Sequence, residues 1–576
     1  MKKFLTNILA FSILASVALT ATACGQEVVE EVDEGKTQLY IANYNGGTSY
    51  GWLEDCIERF EEKYKDTSFE DGKKGAQIFL DSNKSYSGTG LTTSVPASTS
   101  EIFLSSAVPY EDLVSAGSIL DITDLVRDTV NDQDGKTIES KITKPYKDAL
   151  LAPDGKYYAI PLYEAYTSAV TYDAGVFKDK NLYFSNRLDN ADEVYPGTNA
   201  FVTSETDTKS CGPDGVYGNY DDGLPSTFHE FYKLMDRMVK IGVTPFVFTG
   251  ASSHYTNFLP GALFANYVGK DAASVVYDFD SDGKEVEIVT GFNGDEPIVE
   301  KMVLTQDNAN KIKSSLGLYY AAEFCNKVFS DNRYYDKDSS SSTYTNLMAM
   351  ERFMKSGLDG GKYIGMIIEG NWWYNEAKAD GIFDELKTSY ASTYQKKDVR
   401  YMPLPHQYEG TVTPREAENA LAPVMLDLGG NYAFINANIP ENHIKLAKAF
   451  LSFVYSDEEL ITSTKATNGV IKAVEYDLTE VIESANPYMK SVLEMRSEAK
   501  RMGTFDNAFS TNPIYVNNKL DWSYQSVGRF FAVNLERGSY FDVFSAYKGS
   551  VKPTAKEYFK GFEVKDGTWN TLFNIY

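Results

Sequence analysis

The sequence predicts an α/β fold built from more than one unit. Three observations carry that reading. Short apolar runs of strand length alternate with stretches whose apolar residues recur at helical spacing. The chain has 576 residues, more than a single hydrophobic core ordinarily serves. Hydrophobic residues make up 43% of it, enough for packed cores and too many for general disorder.

In chain order, the first residues read as an address. Lys2 and Lys3 precede an uncharged stretch from Phe4 to Ala23, the pattern of a secretory signal at 1–23. The run Ala21-Thr22-Ala23-Cys24-Gly25 resembles the lipobox of bacterial lipoproteins, which implies that Cys24 is acylated and becomes the first mature residue. Residues 24–36 then read as an acidic tether, because five acids fall within GQEVVEEVDEGK. No later apolar run approaches the roughly 18 residues of a membrane span.

The body opens with a strand at 38–43 (QLYIAN) and the loop NYNGGTSYG. Trp52, Cys56, Ile57, Phe60 and Tyr64 then mark one face of a helix, with Cys56 as a small core hydrophobe. Strands follow at 76–80 (AQIFL) and 101–104 (EIFL), and a short helix stops near Gly117. From Asp154 the text DGKYYAIPLYEAYTSAVTY gives two apolar runs broken at Glu164, followed by a long polar loop over 185–223. Thr227 and Glu230 form a capping-box pair ahead of a helix that Gly242 ends. A strand at 245–249 (PFVFT) and a helix at 443–455 complete the clear elements. The order of strand then helix argues for open sheets, which bind ligands beyond the carboxyl ends of their strands.

Composition narrows the function. Asp and Glu number 81 against 55 Lys and Arg, a net charge of −26, which argues against nucleic acid as a partner. Four His and four Cys leave few ligands for a metal-rich enzyme, and no cofactor is expected. The 41 tyrosines suit a wet surface that stacks on something flat. The one G-x-S-x-G match is Gly47-Thr48-Ser49-Tyr50-Gly51, in a chain with only four His to serve as a base, and there is no P-loop.

Several stretches together resemble the sugar-class extracellular solute-binding proteins of bacterial ABC importers, the group that includes maltose-binding protein. They are NYNGG at 43–47, DGKYYAIP at 154–161, GMIIEGNWW at 365–373, MPLP at 402–405, the run GGNYAFINANIPENHIKLAKAFLSFVYSDEEL at 429–460 and ATNGVIKA at 466–473. The resemblance implies a two-lobed, type II periplasmic-binding-protein-like fold hinged on crossing strands. Lobe one would take 37–163 and 436–485, and lobe two 164–435 and 486–576. It also implies a monomer that captures a carbohydrate, an oligosaccharide in chemical class, and hands it to permease subunits driven by a separate ATPase. The alternatives are a secreted glycoside hydrolase and a peptide-binding member of the same transporter class.

A sugar site needs flat rings for the CH faces and carboxylates or amides for the hydroxyl rim. Trp372, Trp373 and Asn371 follow an apolar strand, and strand alternation would send the two indoles to opposite sides. Glu164, with Tyr163 and Tyr166, falls at the first crossover. Tyr44, Asn45 and Tyr50 lie on the loop after strand one, Asp81 follows AQIFL, and Ser105, Ser106 and Tyr110 follow EIFL. Asn431 and Tyr432 stand near the second crossover. Asp278, Asp280 and Asp282 copy the first half of a calcium loop, but Val289 occupies its twelfth position, so a β-hairpin with an Asp-Gly turn is the plainer reading. Asp214, Asp221 and Asp222 likewise read first as turn and cap residues.

Overall fold

Two sheets divide the chain. The computed structural model describes residues 31–128, 134–167, 169–278, 283–305, 308, 311, 314–358, 361–503, 540–545 and 553–560. Cys24, Asp280 and Asp282 lie outside them. The first sheet runs, edge to edge, Ala76–Asn83, Thr37–Tyr44, Ile102–Ser105, Tyr432–Ile435 and Ile160–Pro161. Its first three strands are parallel, and Tyr432–Ile435 lies antiparallel between its two neighbours. The second sheet runs Val399–Met402, Val170–Asp173, Ile364–Ile367 and Thr244–Val247, with the last two parallel. This is the α/β fold that the sequence predicts, in the two lobes that the resemblance implies.

The local reasons are those read from the sequence. The helix Gly51–Lys63 buries Trp52, Leu53, Cys56, Ile57 and Phe60 against the first sheet's core. Thr227 caps Phe228–Lys240 by accepting the Glu230 amide at 3.1 Å. The Glu230 carboxylate bonds the Ser226 amide at 2.8 Å, one residue before the cap. Gly242 ends that helix region with φ +79°, a conformation that costs a residue without Cβ little. In the second sheet, alternate residues pack on opposite faces: Met366 and Met402 join one core, Ile367 and Tyr401 the other. Cys56, Cys211 and Cys325 are free and buried.

Between the sheets the chain crosses side by side. Leu162 donates to the Asn431 carbonyl (2.8 Å), Leu428 to Ala165 (3.0 Å) and Glu164 to Ile471 (2.9 Å). The first crossing therefore falls between Ile160–Pro161 and Val170–Asp173, where the apolar run breaks at Glu164. Tyr432–Ile435 is paired in the first sheet, so the chain re-enters that lobe ahead of the predicted residue 436. A four-residue strand buried on both sides carries no periodic signal to mark its start.

The region 274–289 differs from its prediction. VVY and Asp278 close the helical stretch Phe258–Asp278, which kinks at Gly269, so this run is not a hairpin strand. KEVEIV does enter a hairpin, but its partner is Glu296–Val303 and its turn is at Gly294. The apolar run before the Asp-rich turn fits either period, and the helix wins because it packs on Leu316–Ser330. Asp214, Asp221 and Asp222 hold turns: they accept the amides of Val216, Asp214 and Gly218.

Candidate binding site between the lobes

The site grows from the end of one strand. Ile364–Ile367 is wholly buried, and Ile368, Glu369, Gly370 and Asn371 lead from it to the helix Trp373–Ala379. Trp372 already has helical angles (φ −79°, ψ −16°). The two indoles therefore diverge by the step of a helix, roughly 100°, and not by strand alternation. Trp373 turns inward. It is fully buried against Phe353 and Tyr488, and its Nε1 donates to Thr171 Oγ1 at 2.9 Å. Trp373 is thus a core residue of the second lobe, which corrects its assignment as a ligand contact.

Trp372 turns toward the first lobe. Its ring folds over Gly370 and lies against Gly47, and a Cβ on either glycine would overlap it. Phe258 meets it edge-on, with centroids 6.1 Å apart. Part of the indole stays open, and part packs on the first lobe's core. The lobes also touch through amides: Asn486 donates to Asn468 (3.3 Å), Asn468 to Asn375 (3.3 Å) and Asn375 to the Gly47 carbonyl (2.9 Å).

Beside the indole are two unmet polar groups. Asn371 Oδ1 accepts the Tyr166 amide at 3.0 Å, which fixes the amide's orientation, yet its buried Nδ2 has no partner. Glu369 Oε2 accepts only its neighbour Gly370's amide, at 3.2 Å, and its buried Oε1 has none. Burial, and then the charge of Glu376, push the Glu369 carboxyl well above the ordinary range. Such groups cost free energy until something bonds them. Glu369 is absent from the residues proposed from sequence: an acid closing an apolar strand before Gly-Asn-Trp-Trp is visible there, but nothing local shows that its oxygen stays unmet.

Other groups converge on this point. Glu376 takes Asn346 Nδ2 at 3.1 Å and Lys84 of the first lobe at 3.6 Å. Burial still raises its carboxyl, against the pull of Lys84. Tyr255 is raised by burial and then by the charges of Glu369, Glu376 and Tyr44, so all three lie within electrostatic reach of its hydroxyl. Tyr44 is raised by burial and Glu376. Tyr163 is raised by burial and by Tyr44, and its hydroxyl meets Ser106. Ser105, at the end of its strand, keeps a buried Oγ without a partner. Of the residues proposed from sequence, Tyr44, Tyr163, Ser106, Asn371 and Trp372 are thus brought together.

Others are spent inside the protein. Glu164 is forked by Arg496 (2.7 and 3.0 Å), bonded by Arg501 (3.0 Å) and takes the Tyr166 hydroxyl. Burial pushes its carboxyl up, but the two guanidiniums more than offset this and hold it below the usual range. Glu164 and Tyr166 therefore brace the crossover and have no capacity left for a hydroxyl-bearing ligand. Tyr110 is buried, donating to the Leu150 carbonyl at 2.8 Å. Asn431 bonds the Tyr163 carbonyl at 3.4 Å, and Tyr432 packs on Tyr110. Asp81 is exposed and takes the Tyr86 hydroxyl, Tyr50 is exposed ahead of the helix Gly51–Lys63, and Asn45 is half-buried in its loop.

The fold defines an architecture, two α/β lobes joined where the chain crosses side by side. No family model matches the chain, and no curated protein matches its sequence. Solved structures do match. A chitin oligosaccharide binding protein aligns over 94% of this chain and 99% of its own, with a TM-score of 0.52 and 15% identity. A structure from work on xylan utilization by the thermophilic bacterium Caldanaerobius polysaccharolyticus covers 91% and 99%, at 0.52 and 14%. The solute-binding protein RafE in complex with raffinose covers 94% and 99%, at 0.50 and 12%. At such identities the likeness is one of fold.

Proposed function

We propose that this protein captures a neutral carbohydrate, an oligosaccharide, between its lobes and releases it unaltered to a membrane importer. The observation that carries the proposal is the pairing of a buried, unmet carboxyl oxygen on Glu369 with a buried, unmet amide donor on Asn371, two residues apart and next to the partly exposed Trp372 indole. A sugar hydroxyl both donates and accepts, and a pyranose CH face suits an indole. Among the described residues the cation that meets these carboxyls is Lys84, and it already faces Glu376, which favours an uncharged ligand. The fold supports the same reading, since structures that share it include those of proteins described as binding chitin oligosaccharide and raffinose. Closure is stabilised by contacts that exist only when ligand bridges both lobes. Acylation at Cys24 and the acidic tether would keep the domain at the outer face of the bacterial membrane, within reach of permease subunits whose ATPase is a separate chain.

Thermal-shift and calorimetric titration against neutral oligosaccharides, with short peptides as controls, test this. A stabilising sugar recovered intact supports it. Stabilisation by peptides alone would overturn the ligand class. Glu369 and Glu376 are also two carboxyls near one point, as glycoside hydrolases require. Release of new reducing ends in the same samples would replace capture with hydrolysis.

A further inference from the structure

The second lobe contains a separate cavity of about 880 Å³ that shares no lining residue with the loop at 369–372. It lies between the first turn of Phe228–Lys240, the helices Phe258–Asp278 and Leu316–Ser330, the hairpin of Glu285–Asn293 with Glu296–Val303, and the loop 406–409. One wall is aromatic. Tyr320 and Tyr408 stack at 3.8 Å, and Tyr267 meets Tyr320 edge-on at 5.2 Å.

Its polar lining consists mostly of acceptors. His406 Nδ1 faces the Asn266 carbonyl at 3.0 Å. A carbonyl only accepts, so Nδ1 carries the proton and Nε2 is left with a bare lone pair. That Nε2 is closed from solvent and has no partner. His229 Nδ1 is likewise buried and unmet. Burial lowers both imidazoles, His406 to about 4, so both stay neutral near neutral pH. Glu323 sits within the wall and takes the Tyr408 hydroxyl. Glu285, Glu287, Asp295, Glu296 and Glu409 complete a lining in which, among the described residues, Lys301 is the only cation, and it leans on Glu287 at 3.7 Å. Lys556, from outside the lining, reaches Asp295 at 3.5 Å.

We propose that this cavity binds a small organic ammonium whose body is a ring with an apolar face. An ammonium brings donors to the unmet nitrogens and positive charge to the carboxylates, while the ring lies on tyrosine. A neutral or anionic ligand would leave the excess of negative charge uncompensated.

Glucosamine and glucose differ at one position, ammonium against hydroxyl, and serve as the probe and its neutral control. Saturation-transfer NMR on the whole protein at fixed ionic strength reads the two. We expect glucosamine to give the stronger signal, Glu323→Gln to weaken its binding at least fivefold, and Trp372→Ala to leave it unchanged. Glu409→Gln serves as a second variant at the loop, should Glu323→Gln impair folding, and is expected to weaken binding severalfold. Equal signals from both sugars would overturn the proposal. So would glucosamine binding that survives both Gln substitutions, the sign of general attraction to an acidic surface, or binding that Trp372→Ala abolishes, which would move it to the interlobe site.

Discussion

Glu164 and Glu369 are both glutamates shut away from water, one on the first crossing and one beyond a strand of the second lobe. Glu164 is met by two arginines and a tyrosine hydroxyl. Glu369 has its neighbour's amide and an empty oxygen. Burial pushes both carboxyls up, and only Glu164 has the counter-charge to bring it back down. Burial alone does not mark a binding residue. What separates a brace from a site is whether the protein has already answered the group's hydrogen-bonding capacity.

The sharpest way to break this contrast is Glu164→Gln. It strands the buried Arg496 and should cost roughly 3–5 kcal/mol in urea unfolding. The sign with pH is fixed as well. A carboxyl held below its unfolded value contributes stability that is full above pH ~4 and is lost as pH falls through the depressed folded value. The variant should lack that acid-side loss.

Next in size, Trp373→Ala should empty a core position and cost about 3 kcal/mol or more, again by denaturant titration. Trp372→Ala should cost far less stability but weaken oligosaccharide binding at least tenfold, about 1.4 kcal/mol, by calorimetry. Unchanged affinity there would remove the indole from the site. The smallest effect is that of Glu369→Gln. The native state holds the Glu369 proton above the unfolded pKa of about 4.3, so stability falls as pH rises from that value toward the folded one. The variant should match the wild type near pH 4 and exceed it near pH 7, followed by thermal melts across that range.

The sequence made the strand–helix alternation plain because each period is local: the face of Gly51–Lys63 and the Thr227 cap needed no tertiary knowledge. The Trp pair was also visible, but which indole served which role depended on Asn371 leading into a helix. Glu164 misled for a related reason. Its partners Arg496 and Arg501 lie more than 300 residues away, and no local pattern announces them. Glu369 was passed over because an acid at a strand end looks the same whether or not the fold supplies it with a cation.

Gly47 presses its bare α-carbon onto the indole of residue 372 from the opposite lobe. Even a single methyl group there would act as a doorstop. An alanine at 47 should yield a molecule whose jaws stand ajar, and X-ray scattering would register it as a larger radius whether or not sugar is present.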